Sequence, residues 1–366
     1  MNRTIALLLF LIITVRASAQ VVVPFVSNVD RLMLFHNKRF KEVDARPPQR
    51  VFAMNDALLF QDGDGQLLYF TVESGVAQVI ERGQVDQLQV SGERAAWLRS
   101  DSLMMLRGGT SKLVATGVER FQVSDSLVGL VDSIDHELAV LHRGQRIPLA
   151  KVERNSQLPQ WTQGGNTVTF YDRSRRAVSI FQHGALRILT DSTDVGMAVN
   201  GTDIVAYWDD VRDEFMGEAK GATQRLSGLK PISAQAGNGL LAFVDGTLKL
   251  KVWDGGEVVQ LTDSMPSQYW VKDELVLYLW AGHLKVWSSA GDVTVEEYVP
   301  ERWQVSGDLL VYLDINRELR GIQGGKRLRF GHEANIDGFE LFGEAVLYRS
   351  PIGSMVVVSN GRSYTF

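Results

Sequence analysis

A short apolar run ending in a bulky residue recurs nine times along the chain, each time set between polar or glycine-bearing turns. The copies are NDALLF ending at Phe60, GERAAW at Trp97, SDSLVGL at Leu130, NTVTF at Phe170 and GTDIVAY at Tyr207. GNGLLAF at Phe243, DELVLY at Tyr278, GDLLVY at Tyr312 and GEAVLY at Tyr348 complete the series. Successive anchors lie 37, 33, 40, 37, 36, 35, 34 and 36 residues apart. Apolar runs that keep such a register mark a repeat architecture, in which each unit buries its faces only against its neighbours.

The polar positions complete the unit. A first strand precedes a turn, as in LQVSG, YWVKD and RWQVSG, and the anchor strand follows. An Asp- or Arg-rich loop then leads to a third strand such as QLLYFTV, ELAVLH or LKLKVW. Next comes a tight turn carrying glycine, at Gly75, Gly109, Gly144, Gly184, Gly221, Gly256, Gly291, Gly325 and Gly361, and a short fourth strand closes the unit. Two-residue hairpin turns demand positive φ, which glycine adopts without strain. Four short strands per repeat, rich in β-branched and aromatic residues, predict an all-β fold: a single β-propeller with roughly 36 residues per four-stranded blade. Helical periodicity is absent, which disfavours helical solenoids. About nine blades are expected, within a range of eight to ten. RLMLFHNKRFKEV reads as an additional third- and fourth-strand hairpin with Asn37 in the glycine place, and residues 21–25 supply another strand. No Pro-, Gly- or Ser-rich linker divides the chain into two smaller rings.

The N-terminus adds an export expectation. Arg3 precedes the apolar run Ile5 to Thr14, and Ala17-Ser18-Ala19 forms an A-x-A cleavage signal. Residues 1–19 are therefore read as a signal peptide and residues 20–366 as the propeller domain. No other apolar stretch is long enough for a membrane-spanning helix. The closing Tyr364-Thr365-Phe366 resembles the terminal signal of outer-membrane barrels, but strands this short do not fit a barrel that crosses a bilayer. With no cysteine there is neither a disulfide nor a thiol nucleophile. A formal net charge of -5 over 366 residues gives no electrostatic ground for a nucleic-acid partner.

Catalysis does not announce itself. His36, His136, His142, His183, His283 and His332 are scattered over different repeats, and none recurs at a ligand-like position. Asp62-Gly63-Asp64-Gly65-Gln66 with Glu73 mimics a calcium-loop spacing, but the third strand lies between them and the DG pairs read as hairpin turns. The acidic loop Trp208-Asp209-Asp210-Val211-Arg212-Asp213-Glu214 reads first as a solvated connection and only second as paired carboxylates for glycoside chemistry. No sialidase box, nucleophile elbow or phosphate loop is present. No catalytic residue, cofactor or metal site is therefore expected. The loops after the anchor strands do share a charged character, carrying Asp62, Asp64, Arg99, Asp101, Asp132, Asp135, Asp172 and Arg173 onward to Asp314, Arg317 and Arg349. All are expected on one face of the disc, where propellers present broad, rigid surfaces with variable loops.

The copies VSGDLLVYLDINRELRGIQGG, AGNGLLAFVDGTLKLKVWDGG and VKDELVLYLWAGHLKVWSSAG, together with the leader and the lack of cysteine, resemble exported repeat propellers of Bacteroidetes-type bacteria. Within that group the chain is similar to the Plug subunits of the type IX secretion translocon. The resemblance implies a non-enzymatic periplasmic subunit, peripherally associated with the outer membrane. It implies docking on an outer-membrane complex, a large translocon barrel, and capping of its periplasmic mouth. Exposed aromatic residues and Arg with a polar rim are the expected contacts, so Trp208, Asp209, Asp210, Trp280 and Arg317 are the interface candidates. The alternative is a periplasmic carbohydrate-binding or carbohydrate-active propeller that uses its central channel.

Overall fold

A computed structural model describes residues 21–366 apart from 84, 152–159 and 192–197; the expected signal peptide lies outside the described residues. The described residues form ten antiparallel sheets and no helix. Blades 1 to 10 span residues 23–44, 50–81, 87–115, 118–151, 161–190, 199–227, 233–260, 268–296, 303–329 and 339–365. Blades 2 to 10 have four strands joined in sequence order, and blade 1 has three among the described residues. The nine repeats of the sequence are blades 2 to 10. The hairpin around Asn37, with its additional strand Val23–Val26, supplies the tenth blade.

Burial follows position within the blade. Every anchor is buried: Phe60, Trp97, Leu130, Phe170, Tyr207, Phe243, Tyr278, Tyr312 and Tyr348, with Phe25 in the equivalent place of blade 1. The second strands are apolar on both faces because a blade in a ring is covered on both sides, and Leu309–Leu313 is buried throughout. Fourth strands such as Lys326–Arg329 form the outer rim and are largely exposed. Each core cluster spans two neighbouring blades, as where Phe215 of blade 6 meets Phe243 of blade 7 with ring centroids 5.2 Å apart. Burying one such side chain contributes roughly 1.5–3 kcal/mol, so the stacked faces carry the fold.

The predicted turn chemistry holds at the hairpins between third and fourth strands except in blade 7, where Gly255 (φ 93°) and not the expected Gly256 takes the positive φ. His183 and Gly184, Lys220 and Gly221, and Asn360 and Gly361 all sit at positive φ, and in blade 1 Asn37 and Lys38 do the same. At the other hairpins of that disc face, those between first and second strands, blades 5 to 7 depart from the tight form. Gly201 and Gly237 have no room for a side chain: a methyl at Gly201 would strike the Gly237 carbonyl, and one at Gly237 the Asp273 carbonyl. Their turns nest edge to edge, with Thr202 N donating to Gly237 O at 2.9 Å and Asn238 N to Asp273 O at 2.7 Å.

The innermost strands face the channel with one unpaired edge, and glutamines close it. Gln89, Gln235 and Gln304 each reach to the first strand of the next blade. There the side-chain amide donates to one backbone carbonyl and accepts from the N–H two residues on. The ring closes without a shared strand among the described residues. Val23, Phe25, Met33 and Phe35 of blade 1 pack on Ala345, Leu347, Met355 and Val357 of blade 10. Phe366 sets its ring 5.4 Å from Phe25 and 5.3 Å from Phe40.

Candidate docking face

An antiparallel blade sends its connections alternately to the two ends of its strands. The loops between second and third strands therefore share one face of the disc with the connections between blades. The hairpins between first and second, and between third and fourth, strands share the other.

Two residues after the anchor, the first face carries a repeated device. In six blades the position is aspartate: Asp62, Asp132, Asp172, Asp209, Asp245 and Asp314. Ser27 and Ser350 take it in blades 1 and 10. All except Asp314 are buried. Each side-chain oxygen accepts backbone N–H groups of the loop that follows, the local bonding for which Asp and Ser are favoured in turns. Asp132 Oδ1 accepts from Ile134 N at 2.8 Å and Asp135 N at 3.0 Å, and Asp209 Oδ1 from Val211 N at 3.0 Å and Arg212 N at 3.2 Å. Asp314 Oδ1 accepts from Asn316 N and Glu318 N, both at 2.9 Å. The same bonding at Asp62, from Asp64 N at 3.0 Å and Gln66 N at 2.9 Å, makes the DGDG segment a capped hairpin turn.

The other carboxylate oxygen takes a cation: Arg146 for Asp132 at 2.9 Å, Lys251 for Asp245 at 2.7 Å and Arg320 for Asp314 at 3.0 Å. Burial raises the Asp245 carboxyl. The hydrogen bonds from Lys251, Thr247 and the Lys249 backbone outweigh it and hold the group at about 2. These acids fix the loops and do not decorate the surface.

The loops so fixed hold aliphatic side chains out to solvent. Val211 is 71 % exposed, Ile315 78 % and Ile352 90 %; Val29, Ile134 and Leu248 stand out on the same loops. Leu229, Ile232, Met265 and Val299 do so on the inter-blade connections of that face. Most of these residues lie on blades 6 to 10 and blade 1. Elsewhere the loops are charged, as in blade 5, where Arg173, Ser174, Arg175 and Arg176 are all exposed. The opposite face carries one exposed large aliphatic, Val76, among the described residues. Its turns bear Asp56, Glu93, Asp125, Asp203, Asp273, Glu274, Asp308 and Glu344.

The five interface candidates do not share one environment. Trp208 is buried between blades 6 and 7, beneath the Lys230 ammonium 5.9 Å from its ring, so the expectation of an exposed aromatic fails there. Asp209 is the buried cap of its loop, and Asp210 is exposed beside it. Trp280 occupies the cap position of blade 8, whose loop has shrunk to a two-residue turn at Ala281 (φ 52°) and Gly282 (φ 83°). Its ring is half-buried, with Nε1 donating to Ser264 Oγ at 3.2 Å and the Lys285 ammonium 5.6 Å away. Arg317 donates to the carbonyls of Ile336 and Asp337, each at 3.0 Å, and so ties its loop to the connection between blades 9 and 10. Sequence reasoning missed the exposed aliphatics, although an aliphatic two residues after a loop Asp or Ser was there to be read at Val29, Ile134, Val211 and Ile352.

Hollows break the surface of the described residues. One of about 360 Å³ lies over the nested turns of blades 5 to 7, lined by Asn200, Thr202, Asn238, Lys272 and Asp273 with the glycine backbone. One of about 480 Å³ lies between blades 9 and 10, with Leu328, Phe330 and Val358 at its floor. A third, of about 160 Å³, lies between blades 7 and 8 beside Trp287. No group of three or more His, Asp or Glu side chains that could hold a metal ion occurs among the described residues.

Several solved structures are similar to the chain in fold. The computationally designed Ika8 protein is 17% identical with a TM-score of 0.35, over 74% of this chain and 94% of that one. PorZ, a bacterial surface component of the type-IX secretion system of Porphyromonas gingivalis, is 10% identical with a TM-score of 0.29. That match covers 95% of this chain and 59% of PorZ, so the chain spans about three-fifths of PorZ's length. A virginiamycin B lyase of Staphylococcus aureus is 13% identical with a TM-score of 0.31, over 62% of this chain and 89% of that one. No curated protein matches the sequence. The profile of the 10-bladed beta propeller domain matches residues 16–364, nearly the whole chain. The blade count obtained strand by strand agrees with it, and the chain belongs to the 10-bladed beta propeller domain family.

Proposed function

We propose that this chain is a non-enzymatic docking subunit of the bacterial cell envelope. It is exported to the periplasm and held at the outer membrane by contacts with a protein complex there. Its mechanism is steric: a rigid ring, seated by one face, covers the periplasmic mouth of a secretion translocon until it is displaced. The observation that carries the reading is the two-faced distribution of exposed aliphatic residues. Loops pinned by the caps Asp209, Asp314 and Ser350 hold Val211, Ile315 and Ile352 in solvent, where exposure gains a free subunit nothing, whereas the opposite face is polar. Exposed apolar side chains concentrated on one face support an interaction site there. The style of the repeats adds the envelope setting.

Affinity purification of the tagged chain from gently solubilised native envelopes tests this reading. A large outer-membrane barrel recovered in stoichiometric amount is the expected result. Recovery of the chain alone across several mild detergents overturns it.

One observation favours a second reading, a carbohydrate-binding propeller: the polar hollow over the nested turns, with its amide, hydroxyl, carboxylate and ammonium groups. Retention of a defined set of periplasmic glycans by the wild-type chain, but not by Asn238→Leu, is its test.

A further inference from the structure

The aliphatic residues of the loop face are gathered on the sector from blade 6 through blade 10 to blade 1, with Ile134 on blade 4 an outlier among the described residues. Carboxylates accompany them. Asp30 follows Val29, Asp213 lies two residues after Val211, and Glu297 and Glu301 flank Val299 at two residues on either side. All four are exposed and none forms an ion pair among the described residues. Elsewhere in the molecule carboxylates commonly find cations, as Asp132 finds Arg146 and Asp245 finds Lys251. Lys249, Arg302 and Arg349 are the counterweights in this sector, cations without an ion pair among the described residues. Next to the sector, the exposed Arg173 and Arg176 of blade 5 are likewise without ion pairs among the described residues.

This arrangement distinguishes between occupants. A bilayer accepts aliphatic loop tips, but it would have to take an unpaired carboxylate within two residues of several of them. An anionic leaflet would repel those same groups. A second copy seated sector on sector would set like charges against one another, which complementary interfaces avoid. A protein surface with apolar hollows bordered by Lys or Arg satisfies both features at once.

We infer that the sector of blades 6 to 10 and 1 is the gripping surface, and that its partner is a different protein presenting an apolar surface with basic residues at its border. The inference rests on the docking role proposed above and adds to it the side, the eccentric placement and the chemistry of the contact. Seated in this way the disc is held off-centre. Blades 2, 3 and 5 lie outside the apolar grip, and Arg173 and Arg176 are left to meet an acidic border.

The test is site-specific photo-cross-linking in cells that express the chain natively. The cross-linker is placed at Val211, Ile315 and Ile352 of the loop face and at Asp308 of the opposite face. The first three positions are expected to label one protein other than the chain itself, and Asp308 to leave that protein unlabelled. The complex is expected to weaken as salt rises. Replacing Asp213, Glu297 and Glu301 together by Asn, Gln and Gln is expected to weaken it by about tenfold or more, while the purified variant keeps the wild-type melting curve. Labelling of a second copy overturns the inference. So does salt-resistant binding of the purified chain to vesicles of phosphatidylethanolamine and phosphatidylglycerol. Partner labelling from Asp308 alone overturns the inference but leaves the docking role standing. Absence of labelling at all four positions overturns both.

Discussion

Gln304 and Leu341 lie in neighbouring blades, and the side chain of the first completes the backbone of the second. Gln304 Oε1 accepts the Leu341 N–H at 2.8 Å, while its Nε2 donates to Phe339 O at 3.2 Å. The amide stands where a peptide unit of a further strand would stand. Gln304→Leu removes both partners and leaves an N–H and a carbonyl unpaired, at a cost of roughly 1–3 kcal/mol. Urea denaturation measures it, and a loss below about 0.5 kcal/mol would show that water replaces the amide. The equivalent change at Gln235, which bridges blades 7 and 8, is expected to add to it, because the two bridges share no partner.

Acid weakens the loop caps in a defined window. Asp245 is held at about 2 against an ordinary value of 3.8, so its contribution is complete above the ordinary value and is lost as pH falls toward 2. In Asp245→Asn that part of the pH dependence disappears: the variant is less stable at neutral pH, and its curve falls less steeply between pH 4 and 2. Melting temperatures across that interval provide the check. Parallel curves for the two proteins would assign the acid sensitivity to other carboxylates.

Alkali acts on the anchors. Burial, aided by nearby carboxylates, pushes the Tyr207 and Tyr348 phenols up to about 12 from 10. A raised phenol favours the folded state while protonated. The contribution is therefore full below pH 10 and is lost as pH climbs to about 12. Tyr348→Phe is expected to shift alkaline unfolding upward in pH, with phenolate absorbance and circular dichroism followed together. Unfolding at an unchanged pH would mean that these phenols do not set the limit.

The nested turns make a sharper steric forecast. Gly237→Ala drives a methyl against the Asp273 carbonyl and should cost roughly 1–3 kcal/mol. Gly63→Ala places the same methyl in open space and should stay within about 0.5 kcal/mol. Equal effects in the two variants would refute the close approach of the turns.

The repeat and its anchors were legible in the sequence because a strand buried on both faces leaves a run of apolar residues that spacing alone reveals. Phe60, Trp97 and Tyr312 are buried where the pattern puts them. The loops were legible only in part. An aspartate after a strand reads as a solvated charge, yet Asp132 and Asp209 are turned inward onto backbone N–H groups, which composition cannot distinguish. Trp208 adjoins that cap and follows it inward, whereas Trp280 sits at the cap position itself, in a loop two residues long. The docking face is written in single aliphatics too sparse to register as a hydrophobic segment. They gather only when the ring closes and brings blade 10 beside blade 1.

That closure by packing has a further consequence. Each described blade is cut from one unbroken stretch of chain, and no strand is exchanged between residues 23–44 and 339–365. The ring therefore has no privileged starting point. A gene rearranged to begin at blade 6 and joined through the present seam would encode the same ten wedges in the same circular order. A disc of this kind grows or shrinks by whole wedges, so its diameter is open to evolution by duplication and loss, one repeat at a time.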